Sequence, residues 1–338
     1  MGSGSSALTD VLGEFDSLHN PTGSFEYVFL HCPNGVFDLE DKLLRGNSAL
    51  RSDEAIRSFS EAMKLLYDVP FWWPGNYKKN LSKNFLEITN KYIQSLVEFK
   101  SDGFWYHQEK RGFRAFPKLA FNKVVRTVTK GSIAPSKPLY YKGMILSFPT
   151  PDEYYKKSRR YIKEVIQEIA RPGKGLVLDQ LLLPHNAWRM DNYFDGNAEC
   201  FIVDRDPRDT FILNKYLWEK RYGTRGTAYP TEVNTFCAYY KKIRCTELPT
   251  TSSHVYRIHF EDLIYRYDES IDTICDVLSL DKSKQLKFTK FNPNESIHNT
   301  QLFLNPAYKG ECSVIEHELG EYLYEYPYEF CPNPKEAF

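Results

Sequence analysis

Two arginines stand three residues apart in Cys200-Phe-Ile-Val-Asp-Arg-Asp-Pro-Arg-Asp-Thr-Phe-Ile-Leu-Asn214, where a short apolar run gives way abruptly to charge. Cys200 to Val203 has the length and composition of a strand buried in a parallel sheet. Asp206 can cap the helix that follows, Pro207 suits its first position because no N–H is needed there, and Phe211, Ile212, Tyr216 and Leu217 give it one apolar stripe. The free N–H groups and positive dipole end of such a helix attract a phosphate, which Arg205 and Arg208 can clamp. The same residues also suit an arginine–aspartate network that ties the strand to its helix, since ion pairs occupy such junctions too.

Other segments carry chemistry at strand and helix ends. In Leu176-Val-Leu-Asp-Gln-Leu-Leu-Leu-Pro-His185, Asp179 and Gln180 interrupt an apolar run at the predicted C-terminal end of a strand, the edge where open α/β sheets bind ligands. Asp179 is therefore a candidate base. His185 is another, against the plainer reading of a surface or hydrogen-bonded histidine. At the start, Met1-Gly-Ser-Gly-Ser-Ser leads into Leu8, Leu12 and Phe15 at helical spacing, so a small-residue loop feeds a helix from Ser5 onward. Its backbone N–H groups can wrap a phosphate or sulfate, although a flexible linker has the same composition. There is no Gly-Lys-Ser/Thr, so the nucleotide kinase signature is absent.

The elements between these segments alternate. Phe25 to His31 reads as a strand, and Cys32 to Asp41 as a turn-rich stretch whose acids Asp38, Glu40 and Asp41 precede Lys42 and Arg45. A helix is predicted over Ser52 to Tyr67, capped by Ser52, and another over Glu153 to Ala170, followed by a strand over Leu176 to Gln180. A last strand, His254 to Phe260, leads through Glu261-Asp-Leu-Ile264 into a helix striped by Ile271, Ile274, Val277 and Leu278. Residues 70–150 are less regular: Pro70-Phe-Trp-Trp-Pro-Gly75, a helix through Phe85, Ile88, Tyr92 and Leu96, then interleaved basic and aromatic residues from Phe104 to Phe116. This stretch is expected to hold an acceptor, the alternative being a local aromatic mini-core. The alternation as a whole predicts an α/β fold with a parallel sheet covered on both faces, in one domain of 338 residues.

Forty-four basic residues balance forty-four acidic ones, so no overall field draws the chain to nucleic acid or an anionic membrane, and any anion site must be local. Apolar runs of a few residues cannot span a bilayer. The seven cysteines are scattered, with no Cys-x-x-Cys pair and no cysteine–histidine cluster at zinc spacing, which fits a reduced cytoplasmic protein without a structural metal.

Together these segments resemble the sulfotransferases that use 3'-phosphoadenosine 5'-phosphosulfate. Ser3-Gly-Ser-Ser-Ala-Leu8 is similar to the family's 5'-phosphosulfate loop, with Ser3, Gly4, Ser5 and Ser6 as the donor-binding residues. Val203-Asp-Arg-Asp-Pro-Arg-Asp-Thr210 is similar to the strand-to-helix element that takes the 3'-phosphate on Arg205 and Arg208. Phe260-Glu-Asp-Leu-Ile264 looks like the family's Tyr-Glu-Asp-Leu strand end, and Ser296-Ile-His-Asn-Thr-Gln with Tyr308-Lys-Gly310 looks like the segment that closes over the nucleotide through Lys309 and Gly310. The resemblance covers about half of the chain and leaves residues 70–170 unmatched. It implies a three-layer α/β/α, P-loop-like fold with a central parallel sheet, and transfer of a sulfuryl group to a hydroxyl of a glycan or small molecule without a metal.

The departures are specific. Gly2 stands where the family carries lysine or arginine, so Lys42, Arg45 or Lys309 would have to supply that cation; Leu213 stands where a serine often meets the 3'-phosphate, with Asn214 beside it as a substitute. Because the chain starts inside the loop, the first strand of the sheet is expected to lie upstream of Met1. In-line attack on sulfur needs a base at the acceptor and fixed positive charge around the sulfuryl oxygens. By analogy with the family's histidine and glutamate types, Asp179 ranks first as that base, followed by Glu40 and His185. A kinase-like phosphotransferase and a nucleotide-binding protein that has lost its chemistry are the alternative readings.

Overall fold

The computed structural model describes residues 3–21, 25–69, 75–102, 116–133, 143–218 and 229–332. The chain divides into two compact units, one made of Met1–Val28 with Ile169–Phe338 and the other of Phe29–Glu168. It is a mixed α/β protein. No described helix is long and apolar enough to cross a membrane.

The first unit opens with helix α1 (Ser5–Leu12), entered through Gly4 in the left-handed region, and a short strand β1 (Leu18–His19). In the second unit, helix α2 (Val36–Leu44) occupies much of the stretch expected to be turns, and the Phe29 and Leu30 carbonyls accept the N–H groups of Val36 and Phe37 at 3.3 and 2.9 Å. That capture is why the strand expected over Phe25 to His31 does not form: its second half caps a helix, and its first half keeps one parallel bridge, Glu26 to Asp179. Helix α3 (Ala49–Tyr67) starts earlier than predicted because Ser48, not Ser52, caps it by accepting from the Arg51 N–H. Ser52 lies inside the helix, where its hydroxyl exchanges hydrogen bonds with the backbone of Ser147.

Helix α4 (Phe85–Leu96), strand β2 (Phe99–Ser101), helix α5 (Phe116–Val128), strand β3 (Met144–Leu146) and helix α6 (Pro151–Gln167) complete this unit, with β2 and β3 antiparallel. Helix α6 begins at Pro151 because Thr150 and Glu153 form a reciprocal capping box. Phe29, Phe59, Tyr77, Phe85, Tyr92, Tyr154 and Tyr161 are all buried here, mostly edge to face, with Tyr92 and Tyr161 stacked at 4.5 Å. These aromatics form a mini-core. The run from Phe104 to Phe116 lies outside the described residues up to residue 115, as does the Pro70 to Pro74 segment.

Back in the first unit, strand β4 (Gly175–Leu176) pairs in parallel with β1, and strand β5 (Cys200–Asp204) with β6 (Val255–His259). Between the latter come helix α7 (Pro207–Ile212), which widens directly into a π-helical stretch at Leu213–Trp218, and helix α8 (Val233–Arg244). Helices α9 (Tyr267–Leu278) and α10 (Lys309–Glu318) follow. Leu8, Val11 and Leu12 of α1, with Phe15 just beyond it, pack with Val203, Phe260, Ile271 and Ile274 in one core cluster, which fixes α1 against the end of β5. Strand pairing in this unit is parallel as expected, but in separate two-stranded pieces.

Candidate functional site

Phe260, the residue just past β6, organises the first unit's candidate site. Gly4 has φ of +93°, and a Cβ placed on it would lie 2.5 Å from Phe260 Cδ2, so the small-residue loop can press onto this ring only because residue 4 is glycine. The Arg205 guanidinium lies over the same ring at 4.5 Å. The loop, the strand-to-helix junction and the Phe-Glu-Asp-Leu segment therefore meet on one side chain.

At the junction the cap is as the sequence predicted: Asp206 accepts the Arg208 N–H at 2.8 Å, with Pro207 in the first helical position. Arg208 folds back on its own turn, donating to both Asp206 oxygens and to Glu316, and lies 3.6 Å from the Phe303 ring centroid. Arg205 donates to the Asn299 carbonyl. Asp209 accepts the N–H groups of Gln301 and Leu302, each at 2.8 Å, and the Tyr326 hydroxyl at 2.9 Å. Glu261 accepts the Asp206 N–H at 2.9 Å. Arg205, Asp206, Arg208, Asp209 and Glu261 are all buried, three carboxylates against two guanidinium groups. Burial is the main reason that Glu261 is pushed up to about 8, and it raises Asp209 as well. The structure thus realises the arginine–aspartate network, and uses it to bring the 296–302 segment onto α7.

A second cluster sits at the start of α1. The Ser5 hydroxyl hydrogen-bonds to the Asp179 carboxylate, whose pKa burial raises against that bond. The parallel bridge sets Glu26 beside Asp179, the Tyr27 N–H donating to the Asp179 carbonyl at 3.0 Å. Gln180, held at φ of +56°, offers its side chain to Glu26. Burial and then the Asp179 charge push Glu26 up to about 7, so this carboxyl changes protonation state near neutral pH. Sequence reading passed over Glu26 by placing it within a strand. Its signal was the one that marked Asp179, an acid interrupting an apolar run.

The remaining candidates fall elsewhere. Ser3 is half-buried beside Gly4, and Ser6 is exposed on the first turn of α1. His185 is exposed in the turn Pro184–Arg189. Glu40 is buried in the other unit, where it accepts the Tyr155 hydroxyl at 2.7 Å. Asn214 is buried and bonded in both directions to the backbone of Tyr229, at 2.9 and 3.3 Å, so it holds a chain segment in place. Lys309 and Gly310 are exposed at the start of α10. Of the other proposed cations, Lys42 bridges Asn34 and Glu54, and Arg45 is exposed.

All seven cysteines are free, and among the described residues no group of three or more His, Cys, Asp or Glu side chains could hold a metal ion. Set against protein-family models, curated proteins and solved structures, the chain matches none of them.

Proposed function

We propose that this protein is a sulfotransferase of three-layer, P-loop-like architecture that moves a sulfuryl group from 3'-phosphoadenosine 5'-phosphosulfate to a hydroxyl of a glycan or small molecule. The observation that carries the reading is the meeting of Gly4, Arg205 and Phe260 on one ring. It sets a loop-to-helix start and a strand-to-helix junction side by side, as a donor with a phosphosulfate at one end and a 3'-phosphate at the other requires.

In this reading Glu26 is the base. Near neutral pH its carboxylate is populated yet basic enough to take a proton, while Asp179, tied to Ser5, tunes it by charge. The acceptor oxygen attacks sulfur as its proton passes to Glu26, and the bond from sulfur to the bridging phosphate oxygen breaks, leaving adenosine 3',5'-bisphosphate. Backbone N–H groups at the start of α1 and the exposed Ser6 hydroxyl stabilise the leaving phosphate.

A second reading is a nucleotide-binding protein without transfer activity, which Gly2 in place of the loop cation favours; with Arg208 committed to Asp206 and Glu316, the 3'-phosphate falls to Arg205 in either reading. Thermal shift and radiolabelled sulfate transfer separate the readings. Adenosine 3',5'-bisphosphate is expected to raise the melting temperature while ATP and AMP do not, and Arg205→Ala should weaken its binding by at least about tenfold. Equal stabilisation by ATP would overturn the sulfate-donor reading in favour of a phosphotransferase, and binding with no transfer to any hydroxylated acceptor would favour the second.

A further inference from the structure

Charge is unevenly placed along a chain whose total is neutral. Residues 99–142 hold ten of the forty-four lysines and arginines but two of the forty-four acids. Helix α5 lies within this stretch and contains no acidic residue. Its apolar residues Phe121, Val124, Val125 and Val128 recur at i, i+3, i+4 and i+7 and so share one face. That face is open: Phe121, Val124 and Val128 are 63%, 60% and 76% exposed. Lys123 and Arg126, both exposed, lie off that stripe on the opposite side, which also carries Leu119 and Phe116.

We infer that α5 docks on the surface of an anionic phospholipid bilayer, lying in the interface with its Phe121 and Val124 face in the acyl boundary and Lys123 and Arg126 among the headgroups. Two features select this occupant. Lys123, Arg126 and Lys130, all exposed, with no acid on the helix, complement an anionic surface and repel a basic partner. A contiguous open apolar face at helical period has no role in binding a soluble polyanion, whereas an interfacial helix needs it, and thirteen residues are too few to span the hydrocarbon core. The inference stands apart from the proposed transferase activity.

Flotation of the full chain with vesicles tests it, using phosphatidylcholine alone and a mixture of roughly three parts phosphatidylcholine to one of phosphatidylglycerol. The protein is expected to float with the anionic vesicles and not with the neutral ones. Lys123→Glu with Arg126→Glu should lower partitioning by about tenfold or more, since each basic residue near the surface contributes appreciably. Phe121→Ser with Val124→Ser, which leaves charge unchanged, should lower it by at least about threefold through lost apolar burial. All four side chains are exposed, so melting temperatures should stay at the parent value. No flotation with either vesicle overturns the inference, as does flotation that the charge reversal leaves intact. Retained flotation of the Phe121→Ser, Val124→Ser variant, with heparin competing as well as lipid, would mark a polyanion site in place of a membrane surface.

Discussion

The two units bury polar groups in opposite ways. In the Phe29–Glu168 unit the buried aromatic hydroxyls meet neutral partners, Tyr92 with Ser158 at 2.7 Å, Tyr161 with Thr89 at 3.0 Å and Tyr154 with the Val36 carbonyl at 2.7 Å. Its buried Asp53 pins β3 by accepting the Ile145 N–H and pairing with Arg57. The other unit buries five ionisable side chains at one junction, three acids and two arginines. Buried ion pairs are weak stabilisers, because the desolvation penalty offsets most of the attraction. Aromatic packing with satisfied hydroxyls is the cheaper way to make a core. Where the chain instead concentrates charge, it is holding groups in positions that packing alone would not require.

The sharpest way to break this contrast is to remove one partner from the charged junction. Arg208→Ala leaves Asp206 buried without its guanidinium and Glu316 without its bridge, and should lower unfolding stability by about 3–5 kcal/mol in chemical denaturation. Loss of binding with unchanged stability would instead make Arg208 a ligand clamp that happens to rest on Asp206.

Next in size is the carboxyl pair at α1. Glu26→Gln should cut sulfate transfer by roughly 10²–10⁴ with little change in donor affinity. A base held up to about 7 gives a rate that rises with pH through neutrality. Asp179→Asn removes the like charge that helps raise Glu26, so it should move that rising limb toward acid while leaving substantial activity. If Asp179→Asn abolishes turnover and Glu26→Gln does not, the roles are reversed.

How far the sequence reached differs between the same two regions. The Asp206 cap, the Pro207 start, parallel strands at 200–204 and 255–259 and the helix through Phe85 were legible because each rests on local chemistry: a cap, a missing N–H, a short apolar run, a 3.6-residue period. The strand expected at Phe25 failed because its apolar residues Phe29 and Leu30 give their carbonyls to α2, contacts seven residues along the chain that alternation cannot reveal. Ser52 looked like a cap because it precedes an apolar stripe, yet Ser48 also does, and Ser52 is claimed by Ser147, 95 residues away. At the site, Arg205 and Asp179 were visible by type and place. Glu26 was not, since its perturbation comes from a bridge partner 153 positions distant.

A smaller effect separates the junction's excess charge from its geometry. Glu261 is raised from the ordinary carboxylate range to about 8, so between roughly pH 4.5 and 8 the folded state holds a proton that the unfolded state has released. Stability contributed by this group therefore falls as pH rises through that window. Glu261→Gln keeps an oxygen for the Asp206 N–H without the charge, so it should stabilise the protein at pH 8 by at least about 1 kcal/mol and change little at pH 5. A melting-temperature profile parallel to the parent at both pH values would remove Glu261 from the titrating set.

The smallest effect belongs to the neutral core, and it tests whether that core is as indifferent to charge as its partners imply. Tyr92 stacks on Tyr161 and is bonded to the Ser158 hydroxyl, with burial pushing its phenol up to about 12. Tyr92→Phe keeps the ring, takes one partner from Tyr154, which retains the Val36 carbonyl, and strands the buried hydroxyl of Ser158, a loss of about 0.5–1.5 kcal/mol. Replacing both partners, Tyr92→Phe with Ser158→Ala, removes the stranded group and should recover most of that loss, because exchanging a buried polar pair for apolar groups is close to neutral. Neither variant should alter the pH dependence of stability between pH 5 and 8, since nothing in the pair titrates there. Thermal melts across that range decide the point: a pH-dependent loss in Tyr92→Phe would couple this core to a charged group such as Glu40, whose field acts on Tyr92, and the contrast between a neutral unit and a charged one would fail.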